Sequence, residues 1–260
     1  MPVAGTTARR IILGLLFPAL VLALWEILAR AGVLSADGFS SIGRILPAAA
    51  QQLADGTMLR RTWETLSASA VGWATAAAIG IPLGLLLGLV PPLERLLSVT
   101  IEALRPVPSA ALIPIALLIF GFGLQMSAGV AAFAAVWPVM IFTAAAARGV
   151  EPRLLELARA LGFGAAARLW RFALPAALPG IAVGLRIAFG IAIVVTVTVE
   201  IAANPRGLGY AMITAQQSLR TEVMYAYLFW IGIVGWLINV AITAAERRLL
   251  HWHWSSGEAP

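Results

Sequence analysis

Residues 183–202 read VGLRIAFGIAIVVTVTVEIA, and Arg186 and Glu200 are their only ionisable side chains. A helix needs about 20 such residues to cross the roughly 30 Å hydrocarbon layer of a bilayer, so the stretch predicts a membrane span. The rest of the chain points to the same solvent. Hydrophobic residues make up 61% of the 260 and charged residues 12%, against about 45–50% and about 25% in soluble proteins. Eighteen basic and twelve acidic side chains cannot cover a water-soluble core of this size. The mean hydropathy of +0.92 fits a chain solvated largely by lipid.

On either side of that stretch, further apolar runs predict an all-α polytopic membrane protein, a single transmembrane domain over 1–260. About six spans are expected, near residues 11–29, 65–90, 106–120, 126–147, 183–202 and 225–245. The first run follows Arg9 and Arg10, a layout that a secretory signal peptide shares, but it is longer than the roughly 7–15 residues of a signal's apolar region. Residues 32–61, with Asp37, Arg44, Asp55, Arg60 and Arg61, are too charged for lipid and predict an extramembrane segment. Pro91-Pro92 ends the second run by removing amide donors, and a charged turn carrying Glu94, Arg95, Glu102 and Arg105 follows. Pro106, Pro108 and Pro114 open the third run, which ends at Gly121 to Gly123. Trp137 lies too deep in the fourth run for an interfacial belt and reads as a packing residue. After Glu246, Trp252 and Trp254 suit the membrane interface.

Composition removes whole classes of chemistry. All eighteen basic residues are arginine, so there is no P-loop lysine, no Schiff base and no lysine general base. The chain is therefore expected to be non-catalytic and not to hydrolyse ATP itself. With no cysteine there is no disulfide or thiol nucleophile, and the two histidines, His251 and His253, fall in the last ten residues. No metal site is expected. The formal charge of +6 comes from scattered arginines and not from a basic stripe, so no nucleic-acid partner is expected. With the amino terminus in the cytoplasm, eleven arginines fall inside and five outside, while Arg30 and Arg186 lie near span ends where they can snorkel. The positive-inside rule then places both termini in the cytoplasm.

Between the fourth and fifth runs, Arg148, Glu151, Arg153, Glu156, Arg159, Arg168 and Arg171 alternate with leucines and alanines at helical spacing. Leu154, Leu155, Ala158 and Leu161 share an apolar face of a short helix, and Gly162 and Gly164 allow a sharp bend before a second one through Trp170. Two readings follow from the residues alone. The insert is a compact knob for a partner, or an amphipathic hairpin lying on the bilayer.

Within it, Glu156-Leu157-Ala158 is followed after three residues by Gly162 and after nine more by Phe172-Ala-Leu174-Pro175. This resembles the EAA loop of ATP-binding-cassette importer permeases, EAA, three residues, Gly, nine residues, I-x-LP, with Leu157 and Phe172 as apolar departures. Arg105-Pro-Val-Pro108, Gly184-Leu-Arg186, Gly207-Leu-Gly-Tyr210 and Glu246-Arg-Arg-Leu-Leu-His-Trp252 look like the nitrate/sulfonate/taurine branch of that family. The resemblance implies a permease of the bacterial inner membrane that carries a nitrate-, sulfonate- or taurine-like solute, or another small organic molecule. It implies a cytoplasmic coupling loop over 148–179, in which Glu156, Leu157, Ala158, Gly162, Phe172, Leu174 and Pro175 dock an ATP-binding subunit. ATP and Mg would bind that subunit, with no cofactor on this chain. An extracytoplasmic solute-binding protein and a homodimer in the lipid bilayer are implied as well.

Small residues recur at every fourth position, at Gly80, Gly84 and Gly88 and again at Ala176, Gly180, Gly184, Ala188 and Ala192. They let helix backbones approach closely in lipid, either within one subunit or, for the second stripe, at a dimer axis. The main polar groups inside the runs are Glu26, Thr196, Thr198, Glu200 and Asn239. Glu26, four residues before Arg30, reads as a local helix pair. Thr196, Thr198 and Glu200 are candidates for a translocation path, though the threonines could equally bond their own helix's carbonyls and Glu200 could sit in a solvated vestibule. A secondary transporter of a small solute is the alternative. It would use intramembrane carboxylates and internal repeats, and carboxylates are sparse here.

Overall fold

The computed structural model describes residues 4–31 and 38–249, and the regular elements among them are all helical. Asp37, the two histidines and Trp252 and Trp254 lie outside the described residues. Contacts divide the chain into two compact units, one drawn from Met1–Arg60 and Ala211–Ile231 and the other from Arg61–Tyr210 and Gly232–Pro260.

In the first unit, α1 (Ala4–Arg30) ends at an aromatic group: the Trp25 ring lies 5.2 Å from Tyr225 and 5.9 Å from Phe229. Trp25 Nε1 donates to the Ser40 carbonyl, and Glu26 accepts both from Arg30 and from the Ile42 amide. The local Glu26–Arg30 pair therefore also holds the start of α2 (Ile42–Ala54), a helix within the charged 32–61 segment. Gly56, at φ +76, breaks α2 from α3 (Thr57–Leu89), and Asp55 caps the new helix by accepting from Thr57 N at 2.8 Å.

The second unit is built around α6 (Leu124–Arg148). Before it, Pro91-Pro92 does stop α3, but the expected charged turn is a helix, α4 (Pro91–Leu104). A proline that cannot continue one helix can begin the next, because the first amide of a helix needs no partner. Leu93, Leu97 and Ile101 of α4 rest on Leu87, Met140 and Ala144. The third apolar run is likewise not one straight rod. A 3-10 turn over Ser109–Leu112 leads into α5 (Ile113–Phe120), and the chain bends by 81° between α4 and this segment. Then come α7 (Pro152–Ala160), α8 (Ala165–Arg168), a π-helical turn over Leu169–Ala173, and α9 (Leu174–Ala202). Helices α10 (Gly207–Gln217) and α11 (Thr221–Leu249) complete the described residues.

Four helical segments among the described residues are long and apolar enough to cross a membrane: Thr57–Leu89, Leu124–Arg148, Ala165–Gln217 and Thr221–Arg248. The bent α4–α5 pair makes a fifth if it counts as one span.

Helix α6 lies between the two small-residue stripes. A Cβ on Gly84 would stand 2.6 Å from the Met140 carbonyl, and one on Gly88 2.6 Å from that of Ala144. On the other side, a Cβ on Gly180 would meet the Ala146 Cβ at 2.6 Å and one on Gly184 the Phe142 Cβ at 2.7 Å. Ala188 and Ala192 close the row in a fully buried cluster with Ala76, Ala131, Ala135 and Val139. From Gly180 to Ala192 the α9 stripe is thus packed against α6 of the same chain. Ala176 is exposed, so the packed row starts one turn later. Trp73 ties α3 directly to α9, donating to the Leu185 carbonyl at 2.9 Å and meeting Phe189 edge-on. Trp137 packs against Phe133 and the α4 cluster.

Gly84→Leu should therefore destabilise the protein by about 3 kcal/mol, read as a lower thermal midpoint in detergent. Gly235→Leu, whose Cβ meets nothing within 4 Å, should leave the stability within about 0.5 kcal/mol of wild type.

Candidate functional site

The two ends of α9 carry the polar architecture of the second unit. At the Leu174 end, Pro152 starts α7 and a Schellman cap ends it: Gly162 N bonds Arg159 O at 2.9 Å and Phe163 N bonds Ala158 O at 3.0 Å. Gly162 takes φ +77, which a β-branched side chain reaches only at a cost. The chain then turns back through α8 and the π-helical turn. Pro175 has no N–H to offer the preceding turn, and the wider turn accommodates that loss. Phe163 and Phe172 meet edge-on at 5.1 Å between ring centres, closing the two short helices on each other.

The inner face of this insert is packed. Ala158 is fully buried, and Leu154 and Leu174 lie against Val150, Ala177 and Ile181. Leu161, expected on the same apolar face, is 63% exposed. The α-helical path stops at Ala160, so the three-four spacing no longer sets its direction. Leu155 falls outside the described side chains. Leu157 and Trp170 are also exposed, among Arg153, Glu156 and Arg159. Phe172 is half-buried and Pro175 exposed. Of the seven coupling residues read from the sequence, Ala158, Phe172 and Leu174 thus hold the insert together. Gly162 sets its bend, while Glu156, Leu157 and Pro175 face outward.

At the Ala202 end, α10 begins without a cap of its own. Pro205 and Arg206 precede Gly207, and the first three amides of the helix find acceptors on other helices. Gly207 N donates to Glu64 Oε2 at 2.8 Å, Leu208 N to Thr65 Oγ1 at 2.9 Å, and Gly209 N to Glu200 Oε2 at 2.9 Å. Thr65 in turn donates its hydroxyl to Glu200 at 2.9 Å. Arg61 bonds Glu64 at 2.9 Å and stacks over Tyr210. A Cβ on Gly207 would fall 2.0 Å from Glu200 Oε1, which explains the glycine. One turn on, Asn204 accepts from Gly123 N and donates to Gly123 O and to Ser127, tying α9 to the start of α6. Beside this junction opens a pocket of about 200 Å³ lined by Trp63, Ser67, Ser127 and Arg206 among others.

Glu200, expected to be a vestibule or path residue, is 2% exposed, belongs to this clamp and also lines the pocket. Thr196 shares its buried face. Thr198 lies on the opposite side, exposed with Ile187, Gly190 and Val194, and donates to its own helix's Val194 carbonyl. The three path candidates therefore do not line one surface. Glu64, Thr65 and Asn204 were not singled out as site residues. Their signal in the sequence is a helix start at Gly207 with no serine, threonine or aspartate ahead of it.

Glu200→Ala leaves the Gly209 amide and the Thr65 hydroxyl without their acceptor and should destabilise the protein by about 3 kcal/mol. Glu200→Gln keeps an acceptor and should cost less than half of that. Adding Thr65→Val to Glu200→Ala should cost less than the two single changes summed, measured by thermal unfolding.

The comparisons agree with this architecture. A family described as the binding-protein-dependent transport system inner membrane component matches residues 80–251. The chain is 32% identical over 239 residues to a putative aliphatic sulfonates transport permease protein, SsuC, of Bacillus subtilis, covering 92% of this chain and 87% of that one. It is 34% identical over 202 residues to the taurine transport system permease protein TauC of Escherichia coli, covering 76% and 74%. It is 33% identical over 193 residues to the bicarbonate transport system permease protein CmpB of Synechococcus elongatus, covering 72% and 69%. Among solved structures, an inward-facing MetNI methionine ABC transporter superposes with a TM-score of 0.65 at 25% identity, covering 74% of this chain and 95% of that one. The chain belongs to the binding-protein-dependent transport inner membrane components and is the multi-pass permease subunit of an ABC importer.

Proposed function

We propose that this permease forms, as a homodimer, the pore through which a small sulfonate-, taurine-, nitrate- or bicarbonate-like solute enters the cytoplasm. A solute-binding protein delivers the solute from outside, and a separate cytoplasmic subunit binds ATP and Mg. The relatives' substrates support the solute class, and the positive-inside distribution of arginines supports placing the insert and both termini in the cytoplasm. The exposed face of α9, with Ile187, Gly190, Val194 and Thr198, is the surface left free to meet the second copy and the path.

One observation carries the coupling role. The insert is fixed to α9 by its inner face, yet presents Leu157, Leu161 and Trp170 outward among charged neighbours. Such a surface fits a groove on a partner, with an apolar centre and a polar rim. Because α7 is held against the start of α9, displacement of the insert moves the root of the span. Glu156 faces that partner, Gly162 fixes the angle of the knob, and neither performs chemistry.

Gly162→Val tests this reading. Nothing lies within 4 Å of a Cβ at Gly162, so the change acts through the backbone, where the left-handed conformation costs an L residue roughly 1–2 kcal/mol. Membrane insertion and abundance should stay near normal, while association with the ATP-binding subunit weakens or ATP hydrolysis stops responding to loaded binding protein. Glu156→Ala should act the same way more mildly. Full stimulated hydrolysis and uptake in Gly162→Val would remove the coupling role.

A further inference from the structure

Helix α10 ends on the same cap as α7, with one difference. Leu219 N bonds Gln216 O at 3.0 Å and Arg220 N bonds Ala215 O at 2.9 Å, the bond pair that Gly162 and Phe163 make in the insert. The residue between the two bonds must take a left-handed φ. Glycine fills that place in α7, whereas leucine fills it in α10, at φ +56, the single non-glycine residue with positive φ among those described. An L side chain pays a conformational cost there that glycine avoids. Leu219 regains nothing by packing, because it is 78% exposed. Gln216, Gln217, Ser218 and Arg220 around it are exposed as well. An apolar side chain is therefore held out on a polar turn at the expense of the free chain.

Lipid does not account for it. Along α11 from this turn, residues 221–227 are buried or half-buried. The hydroxyls of Tyr225 and Tyr227 bond the Gly38 carbonyl and Gln52, in the charged segment between α1 and α3. The first exposed large apolar residue of α11 is Leu228. Seven residues at 1.5 Å each set Thr221, the first residue of α11, about 10 Å beyond it along the helix, and Leu219 lies two residues further out in the turn.

We infer that Leu219 is a docking residue for the extracytoplasmic solute-binding protein, which receives it in an apolar dimple with a polar rim. This rests on the importer reading above, which puts the turn on the side opposite the insert. Small interfaces draw most of their energy from a few buried apolar anchors ringed by polar groups. The double hydrogen bond of the cap keeps the turn ordered before contact, so little ordering cost falls on binding.

Three substitutions separate the side chain from the backbone. Leu219→Gly removes the side chain and relieves φ, Leu219→Asn tolerates the left-handed conformation but is polar, and Leu219→Met stays apolar. Each variant is reconstituted in nanodiscs with the ATP-binding subunit and titrated with the binding protein of the same transport system, carrying its co-purified solute. Leu219→Gly should raise the thermal midpoint and keep basal ATP hydrolysis. It should also raise the half-maximal stimulating concentration of binding protein by roughly fivefold or more. Leu219→Asn should show the same weakening, and Leu219→Met should match wild type. A benzophenone on Leu219→Cys should crosslink to the binding protein. Unchanged half-maximal concentrations in the Gly and Asn variants of a stimulated system, or crosslinks to lipid alone, overturn the inference and leave the importer reading standing. A wild-type complex that the binding protein does not stimulate overturns both.

Discussion

The backbones of α3 and α9 approach α6 so closely that a single added methyl group at Gly84, Gly88, Gly180 or Gly184 would fall inside van der Waals contact. Lipid gives helices no hydrophobic reason to associate, so fit between backbones must supply it. The fit here fixes three helices at once. Because α6 is held on both sides, α9 has a set rotation and depth, and with them the positions of everything attached to its two ends. Trp73, bonded to the Leu185 carbonyl, reinforces the same arrangement without passing through α6.

Helix α9 is a bar of 29 residues, about 43 Å long, with the insert at one end and a hydrogen-bonded clamp at the other. The insert grows from its Leu174 end through a π-helical turn, the less regular backbone needed where Pro175 cannot donate. At the Ala202 end, Glu200, Thr65 and Glu64 cap α10 from outside it. A buried carboxylate is costly without partners, and Glu200 Oε2 accepts from both the Gly209 amide and the Thr65 hydroxyl. Motion of α9 would be felt at α10 for that reason. The face of α9 turned away from α6 leaves Ile187, Gly190, Val194 and Thr198 exposed.

Helical class, membrane solvent and the insert were legible in the sequence because each rests on local signals: run length, composition, and glycine and proline at fixed offsets. The small-residue stripes were legible too, but not their partner. Spacing shows that a helix is built for close approach without showing which helix approaches, so α6 as the occupant is a property of the folded structure alone. Pro91-Pro92 marked a boundary correctly, yet the same prolines also begin α4, because one residue type ends and starts helices for related reasons. The acceptor role of Glu200 was not legible, because it depends on Thr65, 135 positions earlier in the chain. Leu219 carried no signal at all, because left-handed backbone at a leucine cannot be read from residue identity.

The proposed topology puts the two ends of α9 on opposite sides of the membrane, with the insert inside. The chain has no cysteine, so a single cysteine at Asp55, in the exposed turn before α3, and another at Arg159, in the exposed part of the insert, can be labelled independently with a membrane-impermeant maleimide. Expressed without its ATP-binding subunit, the Asp55 variant should react in intact spheroplasts and the Arg159 variant only in inside-out vesicles. Labelling of Arg159 in spheroplasts with Asp55 protected, or labelling of both sites from one side, would contradict the account.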